Sequence, residues 1–383
     1  MKKFKSKKIR ILRIIHSLDP NFGGPQNAII DHTYSLIRAG IKVDILTNGF
    51  NNFKKHKNIN IFYMGNHYLG DFGFNLNLFI WLFKNKKNYD YFIIHGLWSF
   101  YTLIARILLT KKFFVFTHGQ LDPFFSHNFK KKIKKKIYWY LIEKRNLLKS
   151  KSLLLTTNEE KKLLNRTYVN TDGIKKELVK YGLSKKKINK RYAKNKFFKK
   201  FPKLKSQEFL LFLGRFHEKK GCEILIKSLK KLIKLKFRYH ILLIGPESAE
   251  KNRLRLIAKK NGVNNYLHWS ESIHGDLKWG AILNSKAMVL SSHGENFGVS
   301  LVESLSLSKP VITTNKVNIY KKILNYKAGF VSNNTVSDYS KILLNFNNLS
   351  NKKIQQMSFN SFKCFDENFN LSKKDRSFYN LIK

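Results

Sequence analysis

The feature that most constrains the fold of this chain is the alternation of short apolar runs with longer amphipathic ones. The alternation occurs in two blocks of the 383-residue sequence. It predicts parallel strands with helices on both faces of each sheet. The first block predicts strands at 9–15, 42–47, 59–63, 91–95, 113–117 and 152–157. The second block predicts strands at 209–213, 239–244, 266–269, 287–291 and 311–313.

The two blocks predict two domains in series. Residues from about 165 to 207 are rich in Lys and Asn and lack periodicity, which indicates a linker. The fold class expected is α/β, with two doubly wound Rossmann-like domains. We expect an N-terminal domain over 1–200, which includes the linker, a second domain over 201–360, and a C-terminal helix over 361–383. Ligands of such sheets bind at the carboxyl ends of the strands. Two such domains in series therefore predict a ligand-binding cleft between them.

The charge balance is extreme, because 74 Lys and Arg residues face 24 Asp and Glu residues, for a net charge of +50. Three interpretations stay open: nucleic-acid binding, docking on an anionic membrane surface, and a general bias toward Lys, Asn and Ile codons. No nucleic-acid recognition motif accompanies the charge, so we expect no nucleic-acid partner. The positive charge still favours anionic surfaces or substrates.

Compartment signals are weak but agree with one another. Cys222 and Cys364 are far apart in the sequence, which fits a reducing cytoplasm. The basic, apolar start contains too short an apolar run for a signal peptide and predicts the first strand instead. No apolar stretch is long enough to predict a membrane span. We expect a cytoplasmic protein, peripheral at the inner face of the cell membrane.

The strongest motif runs from Ser292 to Glu303 and reads SHGENFGVSLVE. It follows an apolar strand and opens a predicted helix, with Glu295 before the helix start and Glu303 in the second turn. This spacing can bring both carboxylates to one side of a pocket. Free N–H groups at the helix start, near Gly298, can hold a phosphate. The alternative is a helix-terminal carboxylate at Glu295 and a solvated Glu303.

A second motif, GRFHEKKG, follows the first strand of the second block. Arg215 offers a fork of donors and Lys220 a point charge, and both suit a diphosphate. In a chain this rich in lysine, a solvated basic pair is the alternative.

Two motifs of the first block lie between a strand and a helix. Gly23 and Gly24 stand in DPNFGGPQ, which is similar to a phosphate-cradling turn but lacks the full dinucleotide fingerprint. A plain tight turn is the alternative. His118, in THGQLDP, follows a strand at its carboxyl end, where site residues of such sheets lie. A structural histidine is the alternative.

A basic and aromatic segment, FKKKIKKKIYWYL, is predicted to form a helix that combines a cationic face with aromatic side chains. Such a helix suits an anionic membrane surface, and its alternative is a solvated Lys face over an ordinary buried stripe. The membrane-facing candidates are Lys130, Lys134, Lys135 and Trp139.

Metal-binding motifs are absent from the sequence. It contains no Asp-x-Asp pair, no HExxH and no Cys-x-x-Cys, so we expect neither a metal nor another cofactor. The charge of a bound phosphate then has to be met by Arg215, Lys220 and backbone N–H groups.

Three segments together carry a family resemblance: THGQLDPFF, LGRFHEKKG and ENFGVSLVESLSLSKPVITTNKVNIYKKI. They resemble the family 4 retaining glycosyltransferases of the GT-B fold, especially bacterial enzymes of lipopolysaccharide and exopolysaccharide synthesis. The resemblance extends over nearly the whole chain. It implies an enzyme that moves a sugar from a nucleotide-diphosphate sugar to a saccharide or lipid-linked acceptor, with retention and without a metal.

The resemblance also implies roles for individual residues. Arg215 and Lys220 would grip the donor diphosphate, Glu303 would bind the nucleotide ribose, and Glu295 would contact the transferred sugar. The terminal helix would cross back onto the first domain. Backbone N–H groups would contact the phosphate or sugar at Gly298, Val299 and Ser300. The loop with Gly23 and Gly24 would lie against the donor. His118 would stabilise the reacting sugar or the acceptor hydroxyl.

Two departures from the family pattern stand out. Lys180-Tyr181-Gly182 replaces a common Pro-Asn-Gly, and Ser308 stands where a glycine usually precedes Lys309-Pro310. Neither departure touches the charged groups. A GT-B epimerase that hydrolyses its nucleotide sugar is the alternative enzyme, and a basic nucleic-acid-binding protein is the alternative outside enzymes.

Overall fold

The computed structural model describes residues 8–19, 25–50, 56–126, 129–373 and 377–382. The chain divides into two compact units. The first unit holds the chain up to Tyr181 together with the segment from Leu371 onward, and the second runs from Gly182 to Asn370. Gly23 and Gly24 lie outside the described residues.

The first unit is built on a parallel sheet of seven strands. These are β1 (Arg10–Ile15), β2 (Lys42–Thr47), β3 (Ile61–Tyr63), β4 (Tyr91–His95), β5 (Phe113–Phe116), β6 (Ser152–Leu155) and β7 (Lys176–Leu178). Their order is β3-β2-β1-β4-β5-β6-β7. The direction of winding reverses between β1 and β4, the point where ligands of doubly wound sheets bind.

Helices cover this sheet, and one of them continues through an irregular turn. The helices are α1 (Pro25–Arg38), α2 (Leu76–Asn85), α3 (Phe100–Leu108), α4 (Phe129–Tyr138), α5 (Lys144–Leu148) and α6 (Asn158–Leu164). A π-helical turn, Trp139–Glu143, joins α4 to α5. Asn75 and Thr157 cap α2 and α6 through their side chains, which satisfies N–H groups that a helix start leaves free. Because both faces are covered, β5 is buried along its whole length.

The second unit repeats the architecture with six parallel strands. These are β8 (Phe209–Leu213), β9 (His240–Ile244), β10 (Leu267–Ser270), β11 (Met288–Leu290), β12 (Val311–Thr314) and β13 (Gly329–Ser332). Their order is β10-β9-β8-β11-β12-β13. The switch point of this sheet therefore lies between β8 and β11.

The helices of the second unit are α7 (Lys190–Lys200), α8 (Cys222–Ile233), α9 (Ala249–Lys260), α10 (Gly275–Asn284), α11 (Val299–Ser306), α12 (Tyr320–Asn325), α13 (Val336–Asn347) and α14 (Asn351–Asn368). A last helix, α15 (Ser377–Ile382), belongs to the first unit. There the ring of Phe378 packs edge-on against Phe114, with ring centroids 5.1 Å apart.

The second unit is continuous in sequence, and its two ends meet. Leu183 N–H donates to the carbonyl of Phe369 over 2.9 Å, and Leu183 pairs with Asn370 in a parallel bridge. Gly182 lies so close to this segment that a Cβ there would come within 1.9 Å of the Phe369 carbonyl oxygen. The glycine of the predicted Lys180-Tyr181-Gly182 motif is therefore required by packing.

The α/β architecture with two doubly wound sheets is confirmed, but two segments differ from their predictions. The segment 165–207, interpreted as a linker, contains β7 and α7, and α7 packs against α10 within the second unit. A Cβ on Gly280 of α10 would lie 2.2 Å from the carbonyl oxygen of Ala193 in α7. The single helix expected over 361–383 is wrong, because α14 ends at Asn368 and α15 begins only at Ser377. Within the described ranges, no helix is both long and apolar enough to cross a membrane.

Candidate functional site

The candidate donor site of the second unit is formed by the two loops that leave the carboxyl ends of β8 and β11. These strands are neighbours at the switch point of the sheet. The β8 loop carries Arg215 and Lys220, and the β11 loop carries Glu295 before α11 begins. The residues of the two motifs thus converge at the edge where ligands of such sheets bind.

An ion pair joins the two loops. The Lys220 ammonium donates to Oε2 of Glu295. The side chains are 24% and 18% exposed. Burial alone raises the pKa of Glu295, but the charges of Lys220 and Lys219 and the Gly298 N–H outweigh it and hold that pKa below the ordinary value. Glu295 is therefore ionised at neutral pH.

The β8 loop is fixed to the β11 loop by its backbone. Gly221 adopts a left-handed conformation with φ of 62°, and a Cβ on it would lie 2.0 Å from the Ser291 carbonyl oxygen. The Ser291 hydroxyl donates to the Gly221 carbonyl over 2.7 Å. His293 N–H donates to the Lys219 carbonyl over 2.9 Å. These contacts on both sides of Lys220 hold its ammonium in place.

The β11 loop is anchored to the loop after β12. Glu295 N–H donates to the Lys316 carbonyl, and the Glu295 carbonyl accepts from Asn318 N–H, each over 2.9 Å. Gly298 then turns into α11 with φ of 70°. The first helical residues, Val299 and Ser300, follow, so their N–H groups belong to the free donors at the helix start.

Glu303 in α11 is paired with a residue that the sequence motifs did not include. The Lys278 ammonium of α10 donates to Oε1 of Glu303 over 2.7 Å. The side chains are 14% and 7% exposed, respectively. A solvated Glu303, the alternative interpretation, is wrong. The signal that could have found Lys278 is its place in the first turns of the helix that precedes β11.

Arg215 differs from the other charged groups because it is exposed. Among the residues that the structure describes, none forms a salt bridge or a hydrogen bond with its guanidinium. The charge of Arg215 is thus available to an anion that enters the site.

Next to the β8 loop lies a cavity of about 370 Å³, lined in part by Gly221, Cys222 and Arg253. Arg215, Lys220, Glu295 and Glu303 do not line it. Its arginine already pairs with Glu223 and Glu250, at 2.8 Å each. The cavity is therefore not part of the candidate site formed by the two loops.

His118 lies in the first unit, two residues after β5, in a left-handed conformation with φ of 48°. Its Nε2 is 2.8 Å from Nδ1 of His95, the last residue of β4. Arg13 of β1 reaches His95 in turn. Burial and the charge of Arg13 lower the pKa of His118 to about 4. The ring is therefore neutral at neutral pH, and His95 belongs to the same cluster.

The membrane-facing candidates differ in their exposure. Trp139 is fully buried, and its indole N–H donates to the Asn170 carbonyl over 3.0 Å. Its assignment to the membrane is therefore wrong. Lys134 is exposed, whereas Lys135 lies over the Trp98 ring, 5.4 Å from its centroid. The side chain of Lys130 lies outside the described part of the chain.

Residues 193–362 match the family model described as Glycosyl transferases group 1. This part of the chain is similar to the group 1 glycosyl transferases. It coincides with most of the second unit, which carries the Lys220–Glu295 and Lys278–Glu303 pairs.

Two curated relatives agree with this family. The chain is 28% identical over 142 residues to the capsular polysaccharide biosynthesis glycosyltransferase CapM of Staphylococcus aureus, a match that covers 36% of each chain. It is 25% identical over 195 residues to the alpha-1,3/1,6-mannosyltransferase ALG2 of Dictyostelium discoideum, covering 44% of this chain and 46% of ALG2. The matches thus span less than half of the length of either relative.

The fold has close counterparts among solved structures. The crystal structure of Anabaena HepE in complex with UDP and glucose matches 97% of this chain and 98% of its own, with a TM-score of 0.73 and 13% identity. The predicted GT-B fold is confirmed by this likeness. The resemblance to family 4 glycosyltransferases predicted from the motifs is confirmed as well.

Among the described residues, no three His, Cys, Asp or Glu side chains are grouped so that they could hold a metal ion.

Proposed function

We propose that the protein is a retaining glycosyltransferase that moves a sugar from a nucleotide-diphosphate sugar to a saccharide or lipid-linked acceptor in cell-surface polysaccharide synthesis. The observation that carries the proposal is the convergence of Lys220 and Glu295 beside the start of α11 in a group 1 glycosyl transferase domain. CapM is a capsular polysaccharide biosynthesis glycosyltransferase, which supports the acceptor class. The UDP and glucose in the HepE complex support the donor class.

The donor diphosphate is assigned to Arg215, Lys220 and the N–H groups of Val299 and Ser300, whereas the Gly298 N–H already donates to the Glu295 carboxylate. Arg215 has an exposed guanidinium, and a guanidinium binds phosphate oxygens through a fork of donors. The helix start offers free N–H groups and the positive end of the helix dipole. Together these groups stabilise the negative charge that grows on the departing diphosphate.

Glu303 is assigned to the ribose and Glu295 to the transferred sugar. Both carboxylates accept hydrogen bonds, which suits sugar hydroxyls as donors. Each already accepts one from a lysine, and that lysine keeps the carboxylate charged and oriented.

In the proposed reaction, the bond between the anomeric carbon and the diphosphate oxygen breaks, and an acceptor hydroxyl oxygen bonds to that carbon on the same face. The acceptor proton passes to the departing phosphate. His118, neutral at neutral pH, is assigned to the reacting sugar or acceptor hydroxyl. The residues that offset the diphosphate charge are cationic, so we propose that no metal is required, and activity in excess EDTA tests this.

Labelled UDP-, GDP- and ADP-sugars, incubated with the protein with and without acceptor lipid, test the function. Label transfer only in the presence of acceptor is expected. Release of nucleotide at the same rate without acceptor would favour the epimerase or hydrolase alternative instead. Glu295→Gln should reduce turnover at least tenfold while nucleotide affinity stays within about twofold, since its carboxylate is assigned to the sugar.

We also propose that the first unit docks on an anionic membrane surface through α4 and the π-helical turn that follows it. Ile137, Tyr140 and Leu141 are each more than half exposed. Lys134 and Lys136 are exposed on the same helix. Apolar side chains beside lysines suit the headgroup region of an anionic bilayer.

Vesicle sedimentation tests the membrane proposal. The protein should bind phosphatidylglycerol vesicles more tightly than phosphatidylcholine vesicles. A double variant, Ile137→Gln with Leu141→Gln, should bind at least fivefold more weakly. Leu256→Gln is the matched control, because Leu256 is 69% exposed but lies on α9 of the other unit. Equal losses in the variant and the control would exclude this surface.

A further inference from the structure

A buried chain of nitrogen atoms links Arg13 to His118 in the first unit. Arg13 stands on β1, and its side chain is fully buried. His95 ends β4 and lies between Arg13 and His118. His32, on α1, contacts the same guanidinium. The chain of contacts thus runs along the carboxyl end of the sheet, across its switch point.

The first link fixes a proton. Arg13 Nε is 3.0 Å from Nε2 of His95, and a guanidinium can only donate. Burial lowers the pKa of Arg13 to about 9, so it still carries its protons at neutral pH. Nε2 of His95 must therefore be the acceptor in this hydrogen bond and carries no proton.

The second link follows from the first. Burial, with the charge of Arg13 next, holds the pKa of His95 well below its ordinary value, so the ring is neutral and its one proton sits on Nδ1. That Nδ1 is 2.8 Å from Nε2 of His118. The two ring planes differ by 20°, which lets the N–H point along the lone pair of the acceptor nitrogen. Nε2 of His118 therefore accepts.

Neutral His118 then has a single place for its proton, which is Nδ1. We infer that Arg13 and His95 are positioning residues that hold His118 in the Nδ1–H tautomer and so make Nδ1 its hydrogen-bond donor toward the reacting sugar or acceptor. The inference deepens the proposed function and rests on it for the role of His118. The tautomer itself follows from the donor-only chemistry of Arg13.

The surroundings of the cluster leave this direction of donation intact. Arg13 Nη1 lies 3.0 Å from Nδ1 of His32 and 3.0 Å from the Thr33 hydroxyl, so His32 Nδ1 is also an acceptor. Tyr181, beside His118, has its pKa raised by burial and is therefore protonated. The carboxylates whose charges act on Tyr181 are Glu160 and Asp31.

Nitrogen NMR of the full chain tests the tautomer directly. In ¹⁵N-histidine-labelled protein at pH 7.5, long-range ¹H–¹⁵N correlations distinguish a protonated Nδ1 from a protonated Nε2. The His118 signals, assigned by their loss in His118→Gln, should show a protonated Nδ1. A protonated Nε2 on His118 in the wild-type protein would overturn the inference.

Variants separate positioning from simple structural support. Arg13→Met should mix the tautomers of His118 and lower kcat by at least about tenfold, since a catalytic imidazole held in the wrong tautomer costs up to ~10⁴-fold in kcat. Arg13→Lys retains a donor toward His95 and should restore the tautomer and most of the activity. Thr33→Val is the matched control, because it removes a different partner of Arg13 and leaves His95 bonded.

If Arg13→Met does not fold, His95→Leu and His95→Gln repeat the test, because only the glutamine retains an N–H donor toward His118. An unchanged His118 signal and unchanged kcat in both Arg13→Met and His95→Leu would overturn the inference. UDP, GDP and ADP binding should be the same in all these folded variants, since the second unit is unaltered. If His118 is protonated at Nδ1 but the protein transfers no sugar, the proposed function is wrong and the inferred tautomer is still correct.

Discussion

The ammonium of Lys278 and the carboxylate of Glu303 form a shielded ion pair, 2.7 Å from Nζ to Oε1, between α10 and α11. Removing either charge would leave the other one poorly solvated, which is costly for buried pairs. In the described part of the structure, only Oε1 of this carboxylate has a hydrogen-bond partner. Oε2 is therefore left to accept from a ligand hydroxyl.

Glu303→Gln should weaken nucleotide binding by roughly tenfold, because a hydrogen bond to a charged acceptor contributes about 1.5–3 kcal/mol. Isothermal titration with UDP, GDP and ADP measures the change and also identifies the base. Glu271→Gln is the control, since Glu271 is exposed in the loop before α10. An unaltered affinity in Glu303→Gln would remove this residue from the ribose site.

Ser308→Gly should stabilise the protein by roughly 0.5–1 kcal/mol. Ser308 has φ of 59°, and the left-handed conformation costs a residue with a Cβ about 1–2 kcal/mol, partly offset by the greater freedom of glycine in the unfolded chain. Urea unfolding measures the difference. Ser308→Ala keeps the Cβ and should give no such gain; a gain as large as that of glycine would show that the strain is elsewhere.

Gly280→Ala should lower the free energy of unfolding by about 1–3 kcal/mol, the range for overpacking a close contact. The new methyl group would approach the Ala193 carbonyl of α7, and backbone cannot move aside as a side chain does. Gly214→Ala serves as the comparison, because the nearest atom to a Cβ there is 3.8 Å away. Equal effects of the two substitutions would mean that α7 does not depend on this contact.

Glu143 is a buried carboxyl in the π-helical turn. It accepts hydrogen bonds from the Thr102 hydroxyl at 3.1 Å, the Trp98 N–H at 3.3 Å and the Asn146 amide at 3.3 Å. Burial nevertheless raises the pKa of Glu143 to about 7. Because the folded state holds this proton more tightly than the unfolded state, its contribution to stability is complete below about pH 4.5 and is lost as the pH rises through 7.

Glu143→Gln should therefore become more stable relative to the wild type as the pH rises. Between pH 5 and pH 8 the difference in unfolding free energy should shift in favour of the variant by on the order of 3 kcal/mol. The Asn146 amide can turn its free oxygen toward the new NH₂ group. Denaturant unfolding at several pH values measures the shift, and parallel curves for both proteins would contradict it.

The sequence predicted the two sheets well because their central strands are buried on both faces and appear as apolar runs. It missed β7 and β13, which lie at the edges of their sheets and have only three and four residues. It also missed α7, whose buried residues are only Ala193 and Phe197. A helix that shows so few apolar positions has no periodicity to detect.

The candidate site was predictable where one short motif contains the chemistry, as at Glu295 and Glu303. The ion pairs of these carboxylates were not predictable. Lys220 was named only from its own motif and Lys278 was not named, because both lysines are distant in the sequence from the glutamates that they contact. Likewise, no local pattern connects Arg13 with His95, 82 residues away. Trp139 shows the opposite error, because it lies in the ordinary buried stripe beneath the lysines and not on the cationic face.

The hydrogen bond between Leu183 and Phe369 closes the second unit at its two ends. All residues of the second unit are consecutive in the chain, whereas the first unit also requires Leu371 and the residues after it. The second unit therefore needs only its own continuous segment to complete its fold, whereas β5 of the first unit lacks the ring of Phe378 that packs against Phe114 until the last helix has joined it. The half of the protein that is translated first is the half that is finished last.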